Sequence, residues 1–229
     1  VSLIGQQAGE VLEEHSELSL DEIKERVVDA LGEVHLPKRA GSVFAFELSR
    51  GQAQRAMLAS ALIKGPDLLV ADEPLTGLDP PVAAAILELM MDMRDKRGLA
   101  MVVVTHDLAT VARIADRVGV VYGGRIVEQG PVREIFQHPQ HPYTSGLLGS
   151  IPWVGADRLR PIAGSPPKLI DVSRTACAFA PRCAHAVAQC VAGVPPVVRI
   201  KATEAACVRI GELDLEGVPG SAEKDRIDP

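Results

Sequence analysis

Three short segments carry the residue types of a phosphate-handling site, in a fixed order along the chain: Ser49-Arg50-Gly51-Gln52, Asp72-Glu73 and His106. Ser49 to Gln52 opens a helix, and a helix start offers free N–H groups and a positive dipole end to an anion. Asp72 and Glu73 close the apolar run Leu68 to Ala71, which reads as a buried strand ending in two carboxylates. Adjacent carboxylates on an extended chain diverge, so one can serve Mg²⁺ and the other an attacking water, as nucleotide hydrolysis requires. His106 closes the next apolar run, Ala100 to Val104, where an imidazole can contact a terminal phosphate or hold that water. Each residue also has a plain structural reading. Ser49 and Asp79 serve as helix N-caps, Asp72-Glu73 is an acidic turn, and His106 fills a strand-to-helix connection. The phosphate-cradling loop Gly-x-x-x-x-Gly-Lys-Ser/Thr does not occur, and no Gly is followed by Lys.

A second set of chemical groups lies far downstream. The four cysteines, Cys177, Cys183, Cys190 and Cys207, all fall after residue 176 with spacing Cys-x5-Cys-x6-Cys-x16-Cys. Such clustering points to one local site, not to a chain-wide disulfide framework. Four thiolates suit a [4Fe–4S] cluster or a tetrahedral zinc. The close Cys-x2-Cys pair usual in zinc modules is not there, which favours the cluster. Two disulfides or four reduced thiols are the plainer alternatives.

The elements that must position these groups follow from the hydrophobic pattern. Residues 7–47 read as helical, with Ser19 and Glu22 forming a capping box. Ile23, Val27, Val28, Leu31 and Val34 then share one helical face. Pro37 to Ser42 is a break. The helix from Ser49 has Met57, Leu58, Ala61 and Leu62 as its expected apolar side, and Gly65-Pro66 ends it. Strand and helix then alternate: a strand over Leu68–Ala71, a helix from Asp79-Pro80 to about Lys96, and a strand over Ala100–Val104. A helix capped by Asp107 runs through Ala115, and two strands flank Gly123-Gly124 as a hairpin. Short helices over Val132–Phe136 and Tyr143–Leu148 follow. The pattern predicts an α/β domain with a largely parallel sheet. Proline then becomes frequent and periodicity weak. This places a boundary near 151–160, a loop-rich cysteine module over 151–216 and a polar tail over 217–229.

Composition bounds the function. The 229 residues are 47% hydrophobic but only 3% aromatic, so the core is aliphatic. The net charge of −6 argues against a general nucleic-acid binder. No apolar run is long enough for a membrane span. The first residues carry no initiator Met and no signal-peptide pattern, and the chain is expected to be a fragment.

Taken jointly, Leu-Ser-x-Gly-Gln-x-Gln-Arg, Leu-Leu-Val-Ala-Asp-Glu-Pro, Gly-Leu-Asp-Pro and Thr-His-Asp resemble the ATP-binding-cassette (ABC) ATPase family over about residues 1–150. That resemblance implies a P-loop-type domain: a helical signature region over 1–66 and an α/β region over 67–150. It implies ATP and Mg²⁺ as ligands. Two such domains would pair head to tail, the signature helix of one facing nucleotide held by the other. Ser49, Gly51 and Gln52 match the signature and Leu78-Asp79 the D-loop. Asp72 matches the Mg²⁺ carboxylate, Glu73 the catalytic carboxylate and His106 the switch histidine. Two departures stand out. Arg50 replaces the first signature glycine, putting a cation where it would pair with phosphate or block it. The phosphate loop, the aromatic stacking residue and the Q-loop would all lie before Val1, and Gln6 and Gln7 receive no such role.

Downstream, Gly130-Pro131-Val132, His138-Pro139-Gln140-His141-Pro142-Tyr143-Thr144, Gly164-Ser165-Pro166-Pro167 and Cys177-x-Phe179-x-Pro181-Arg182-Cys183 are similar to the oligopeptide, dipeptide and nickel importers. This resemblance implies an importer ATPase subunit at the cytoplasmic face of the membrane. Its partners would be a second ATPase subunit, membrane permeases met by the helical region before Ser49, and indirectly an extracytoplasmic peptide-binding protein. For some members of that family an iron–sulfur cluster on a similar cysteine array is implied. A non-hydrolysing interaction module is the rival. Arg50 and the missing loop favour it, whereas Glu73 and His106 disfavour it.

Overall fold

The structure, a computed structural model, describes residues 2–152 and 159–218. The polar tail expected over 217–229 lies almost wholly outside the described residues. The chain divides into two compact units, Val1–His106 and Asp107–Pro229.

In the first unit, α1 (Ile4–His15), α2 (Leu20–Glu33) and α3 (Arg50–Leu62) pack together, with the 3₁₀ turns Lys38–Ser42 and Ala45–Glu47 between α2 and α3. The buried stripes are helical in period: Ile4, Ala8 and Leu12 on α1, then Ile23, Val27, Ala30 and Leu31 on α2. The Ser19–Glu22 capping box forms as expected, Ser19 accepting from the Glu22 N–H and Glu22 accepting from the Ser19 N–H at 2.8 Å. The buried side of α3 differs from expectation. Ala56, Leu58, Ala59 and Leu62 are buried, while Met57 and Ala61 face outward. Small alanines let α3 approach its neighbours closely, and the larger Met57 is turned to solvent.

Strand β1 (Leu68–Asp72) pairs in parallel with β2 (Ala100–Val104), Leu68 opposite Ala100 and Asp72 opposite Val104. The crossover is α4 (Pro80–Arg97), long enough for the connection parallel strands require. It stops at Gly98, whose left-handed φ of +63° permits the bond from the Leu99 N–H back to the Arg94 carbonyl. Leu69 faces the core with Ile86, Leu89, Met90 and Met93 of α4. The opposite face of the pair, Leu68, Val70, Val102 and Val104, is exposed.

The second unit starts with α5 (Leu108–Ile114). Asp107 caps it, accepting from the Ala109 N–H at 3.0 Å and the Thr110 hydroxyl at 2.6 Å. The hairpin β3 (Arg117–Tyr122) and β4 (Arg125–Pro131) turns on Gly123-Gly124, both at positive φ. Helices α6 (Val132–Gln137) and α7 (Pro142–Gly149) follow, then α8 (Ala188–Ala192) and the short strands β5 (Val198–Ile200) and β6 (Thr203–Ala205). The sheet order is β3-β4-β6-β5, antiparallel throughout. This corrects the expectation of a largely parallel sheet. Among the described residues only β1 and β2 are parallel, because β3–β4 and β5–β6 are joined by two-residue turns that reverse the chain. The β5–β6 hairpin escapes a sequence reading. Its strands are three residues long, and Lys201, not glycine, takes the positive φ at the turn. Through the β4–β6 pairing, residues before and after the texture change at 151–160 share one sheet.

Candidate functional site

The carboxyl ends of β1 and β2 bring Glu73 and His106 together. The Glu73 N–H donates to the Val104 carbonyl at 2.8 Å, so the ladder extends one step past β1. Glu73 then takes φ +47°, a left-handed conformation uncommon for a non-glycine residue. This twist separates Asp72, which stays exposed at the strand end, from Glu73, which turns toward β2. Strain of this kind concentrates at functional sites and persists because the surroundings enforce it.

Both oxygens of the Glu73 carboxylate are engaged. Oε1 lies 2.7 Å from His106 Nδ1, and Oε2 accepts from the Thr76 hydroxyl at 2.6 Å. These contacts, Thr76 foremost and His106 second, hold the Glu73 carboxyl below its ordinary range. It is therefore ionised at neutral pH, and its direction is fixed from two sides. Sequence reasoning missed Thr76. A hydroxyl three residues after a carboxylate, across a turn, is the signal that could have exposed it.

The start of α3 is a reciprocal cap. Ser49 Oγ accepts from the Gln52 N–H at 3.3 Å, and Gln52 Oε1 accepts from the Ser49 N–H at 2.9 Å. Gly51 is glycine for packing reasons: a Cβ there would stand 2.6 Å from Val82 Cγ1 of α4. Arg50 reaches away from the helix and donates from its guanidinium to the Gly77 carbonyl at 3.0 Å. Asp79 is the N-cap residue of α4, as expected, but its side chain makes no cap hydrogen bond. Pro80 and Pro81 fill N1 and N2 and bring no N–H, so the acceptor has lost one of its usual donors. Its carboxylate is left exposed.

The four thiols form a separate group in the second unit. All are unpaired in disulfides, with Cys190 and Cys207 buried and Cys177 and Cys183 half-buried. The Cys177 N–H donates to the Cys190 carbonyl at 2.9 Å, which brings these two residues together. Burial foremost pushes the thiols of Cys183 and Cys207 up. Backbone N–H groups point at the sulfurs: Val187 at Cys190 Sγ, 3.5 Å, and Arg209 at Cys207 Sγ, 3.4 Å. Among the described residues no three His, Cys, Asp or Glu side chains are spaced to hold one metal ion.

A parallel βαβ unit with a carboxylate pair and a histidine at its carboxyl edge, beside a helical bundle that presents a capped helix start, is the plan of an ATP-binding-cassette ATPase domain. Residues 1–76 match the family described as ABC transporter, and residues 127–190 the oligopeptide/dipeptide transporter C-terminal region. The chain is 45% identical over 225 residues to a putative peptide import ATP-binding protein of Brucella ovis, covering 93% of this chain and 66% of that protein. It is 42% identical to the oligopeptide transport ATP-binding protein OppD of Bacillus subtilis, covering 87% of this chain and 57% of that one. Among solved structures, cbiO1 of Clostridium perfringens, part of the ABC transporter complex cbiONQ, superposes with a TM-score of 0.52 at 31% identity. The match covers 59% of this chain and 53% of that one. The chain belongs to the ATP-binding proteins of ABC transporters, in the branch that carries the oligopeptide/dipeptide transporter C-terminal region. It spans about two thirds of the length of the Brucella relative.

Proposed function

We propose that the protein is the ATPase subunit of a peptide importer, with Glu73 as the catalytic carboxylate. The observation that carries this reading is the Glu73–His106 contact at the carboxyl edge of the parallel strands, in a chain whose relatives are peptide import and transport ATP-binding proteins. Glu73 is ionised and aimed, as a group that orients or deprotonates an attacking water must be. His106 holds that carboxylate and, being largely exposed, can also meet a phosphate. Asp72 fits Mg²⁺, since it is an exposed carboxylate diverging from Glu73 at the strand end. Bound Mg²⁺ would neutralise charge on the phosphates. Ser49, Gly51, Gln52 and Asp79 lie on exposed or half-exposed segments suited to nucleotide held by a second subunit. In this reading residues 1–150 belong to the ATPase domain and 151–216 to the cysteine module. The subunit sits at the cytoplasmic face of the membrane against permease subunits served by a peptide-binding protein. Among the described residues no helix is long and apolar enough to cross a membrane.

The test uses the complete gene product. Glu73→Gln is expected to lower ATP turnover by about 100-fold or more while ATP still binds. Near-normal turnover would remove Glu73 from the role.

We infer that the four cysteines hold an iron–sulfur cluster; the absence of a close Cys-x2-Cys pair from their spacing favours this over zinc. All four thiols are free of disulfides, and two of their sulfurs, Cys190 Sγ and Cys207 Sγ, receive backbone N–H groups, as cluster thiolates do. The cluster would supply a structural staple to a module short of core residues. Anaerobically purified protein is expected to contain about four irons per chain and to absorb broadly in the visible. One zinc per chain would replace the cluster with a mononuclear site. Metal-free folded protein with four titratable thiols would end the proposal.

A further inference from the structure

Arg50 departs from the signature pattern, and its guanidinium is not held within its own helix. It donates to the carbonyl of Gly77, 27 residues on. Gly77 belongs to the turn that follows Glu73 and leads into α4. That turn is weakly held by its own backbone: the Thr76 N–H meets the Glu73 carbonyl at 3.2 Å and the Leu78 N–H meets the Leu75 carbonyl at 3.3 Å, both at the long end for such bonds. Gly77 itself stands at φ +74°, and as glycine it is the freest residue in the turn. The Arg50 guanidinium fills the space a side chain at Gly77 would take, lying 2.8 Å from where its Cβ would be. The neighbour of Gly77, Thr76, is the residue whose hydroxyl holds Glu73 Oε2 at 2.6 Å.

A continuous line of contacts thus joins the start of α3 to the carboxylate: Arg50 to Gly77, Thr76 to Glu73, Glu73 to His106. We infer that Arg50 is a positioning residue that acts through the Leu75–Leu78 turn, clamping it so that Thr76 keeps Glu73 aimed. Arg50 then works within its own subunit on the hydrolytic step, and not as a ligand for nucleotide phosphate. The inference rests on the ATPase reading above.

Steady-state ATPase kinetics of the complete gene product test it, with Arg50→Ala, Arg50→Lys, Thr76→Val, Thr76→Ser and the double variant Arg50→Ala/Thr76→Val. Arg50→Ala is expected to lower kcat about tenfold, the size of one charge-assisted hydrogen bond, with the KM for ATP within about twofold. Arg50→Lys and Thr76→Ser should each keep part of the activity that the alanine and valine variants lose, since each retains the donor. The double variant should lose little more than the worse single one, because both break the same line. A several-fold rise in KM, or losses that multiply in the double variant, would overturn the inference in favour of a phosphate contact or plain packing. So would higher turnover in Arg50→Gly, which would mark Arg50 as an impediment. Thermal melting of each variant separates misfolding from mispositioning, and the conservative substitutions Arg50→Lys and Thr76→Ser keep the test decisive if the alanine variant unfolds. Full turnover by Glu73→Gln, by contrast, would defeat the ATPase assignment itself, whatever the Arg50 variants do.

Discussion

At the scale of single residues, the site is built by conflicts between local preference and tertiary demand. Glu73 adopts a backbone conformation that costs of order 1 kcal/mol or more for a non-glycine residue, and in return its carboxylate leaves the line of Asp72. Gly51 is the converse case, a residue with poor helix propensity retained inside α3. Propensity alone would make Gly51→Ala stabilising. Packing decides otherwise, since the added methyl would stand 2.6 Å from Val82 Cγ1, and overpacking of this kind costs about 1–3 kcal/mol. Gly51→Ala is therefore expected to lower the melting temperature, and Val82→Ala in the same chain to restore most of the loss. Chemical denaturation of the two variants decides it; a Gly51→Ala protein at least as stable as the parent would show that α3 and α4 do not meet this closely.

At the scale of elements, caps set where helices start, and one of them depends on pH. Helix α7 begins after His141, whose Nδ1 accepts from the Tyr143 N–H at 3.0 Å. The imidazole is 1% exposed, and burial brings its pKa down from 6.5 to about 4. Beside it, the fully buried Glu128 accepts the N–H groups of Gln140 at 2.6 Å and His141 at 3.0 Å, fixing the loop that leads into the helix. Because the folded pKa of His141 lies below the unfolded one, its neutral form is the native one. The stability tied to it is complete above about pH 6.5 and is lost as pH falls toward 4. Protonation at Nδ1 also removes the cap acceptor. Burial moves Glu128 the opposite way, raising its pKa, so protonation of that carboxyl favours the fold as pH drops. Comparison with a His141→Gln variant isolates the histidine. The stability gap between parent and variant should narrow by about 3 kcal/mol between pH 7 and pH 4. A gap that stays constant over this range would place the His141 proton elsewhere.

At the scale of the molecule, the first unit presents an unusual surface. Leu68, Val70, Val102 and Val104, on the outer face of the parallel pair, are 49–62% exposed, in a contiguous patch of the kind that promotes association. Residues 1–229 are accordingly expected to bind a hydrophobic dye and to self-associate in solution. Val70→Lys with Val102→Glu, which stand opposite one another in the register and so carry opposite charges, should suppress both with little change in melting temperature, and persistence of association in that variant would point to a different surface. The same chain holds Glu73 and His106 but no phosphate-cradling loop. Its phosphate release from ATP should sit at the background of its own Glu73→Gln variant, and Glu73-dependent turnover would contradict this.

Features that rest on short-range chemistry are legible in the chain alone. The capping boxes at Ser19 and Ser49, the proline start of α4 and the Gly123-Gly124 hairpin depend on residues within four positions of each other. The order of Ser49, Asp72-Glu73 and His106 is legible as well, because apolar runs announce strands and the chemistry sits at their ends. The rest required long-range contact. Thr76 and Arg50 acquire meaning only from where Glu73 and Gly77 are placed. Met57 and Ala61 exchange sides with Ala56 and Ala59 because neighbouring helices, not α3, choose the buried face. The β5–β6 hairpin escapes because strands of three residues carry too little periodicity, and its pairing with β4 joins positions about 75 residues apart. Local patterns fix which elements form; which partners they meet is settled by burial and hydrogen bonding across the whole chain.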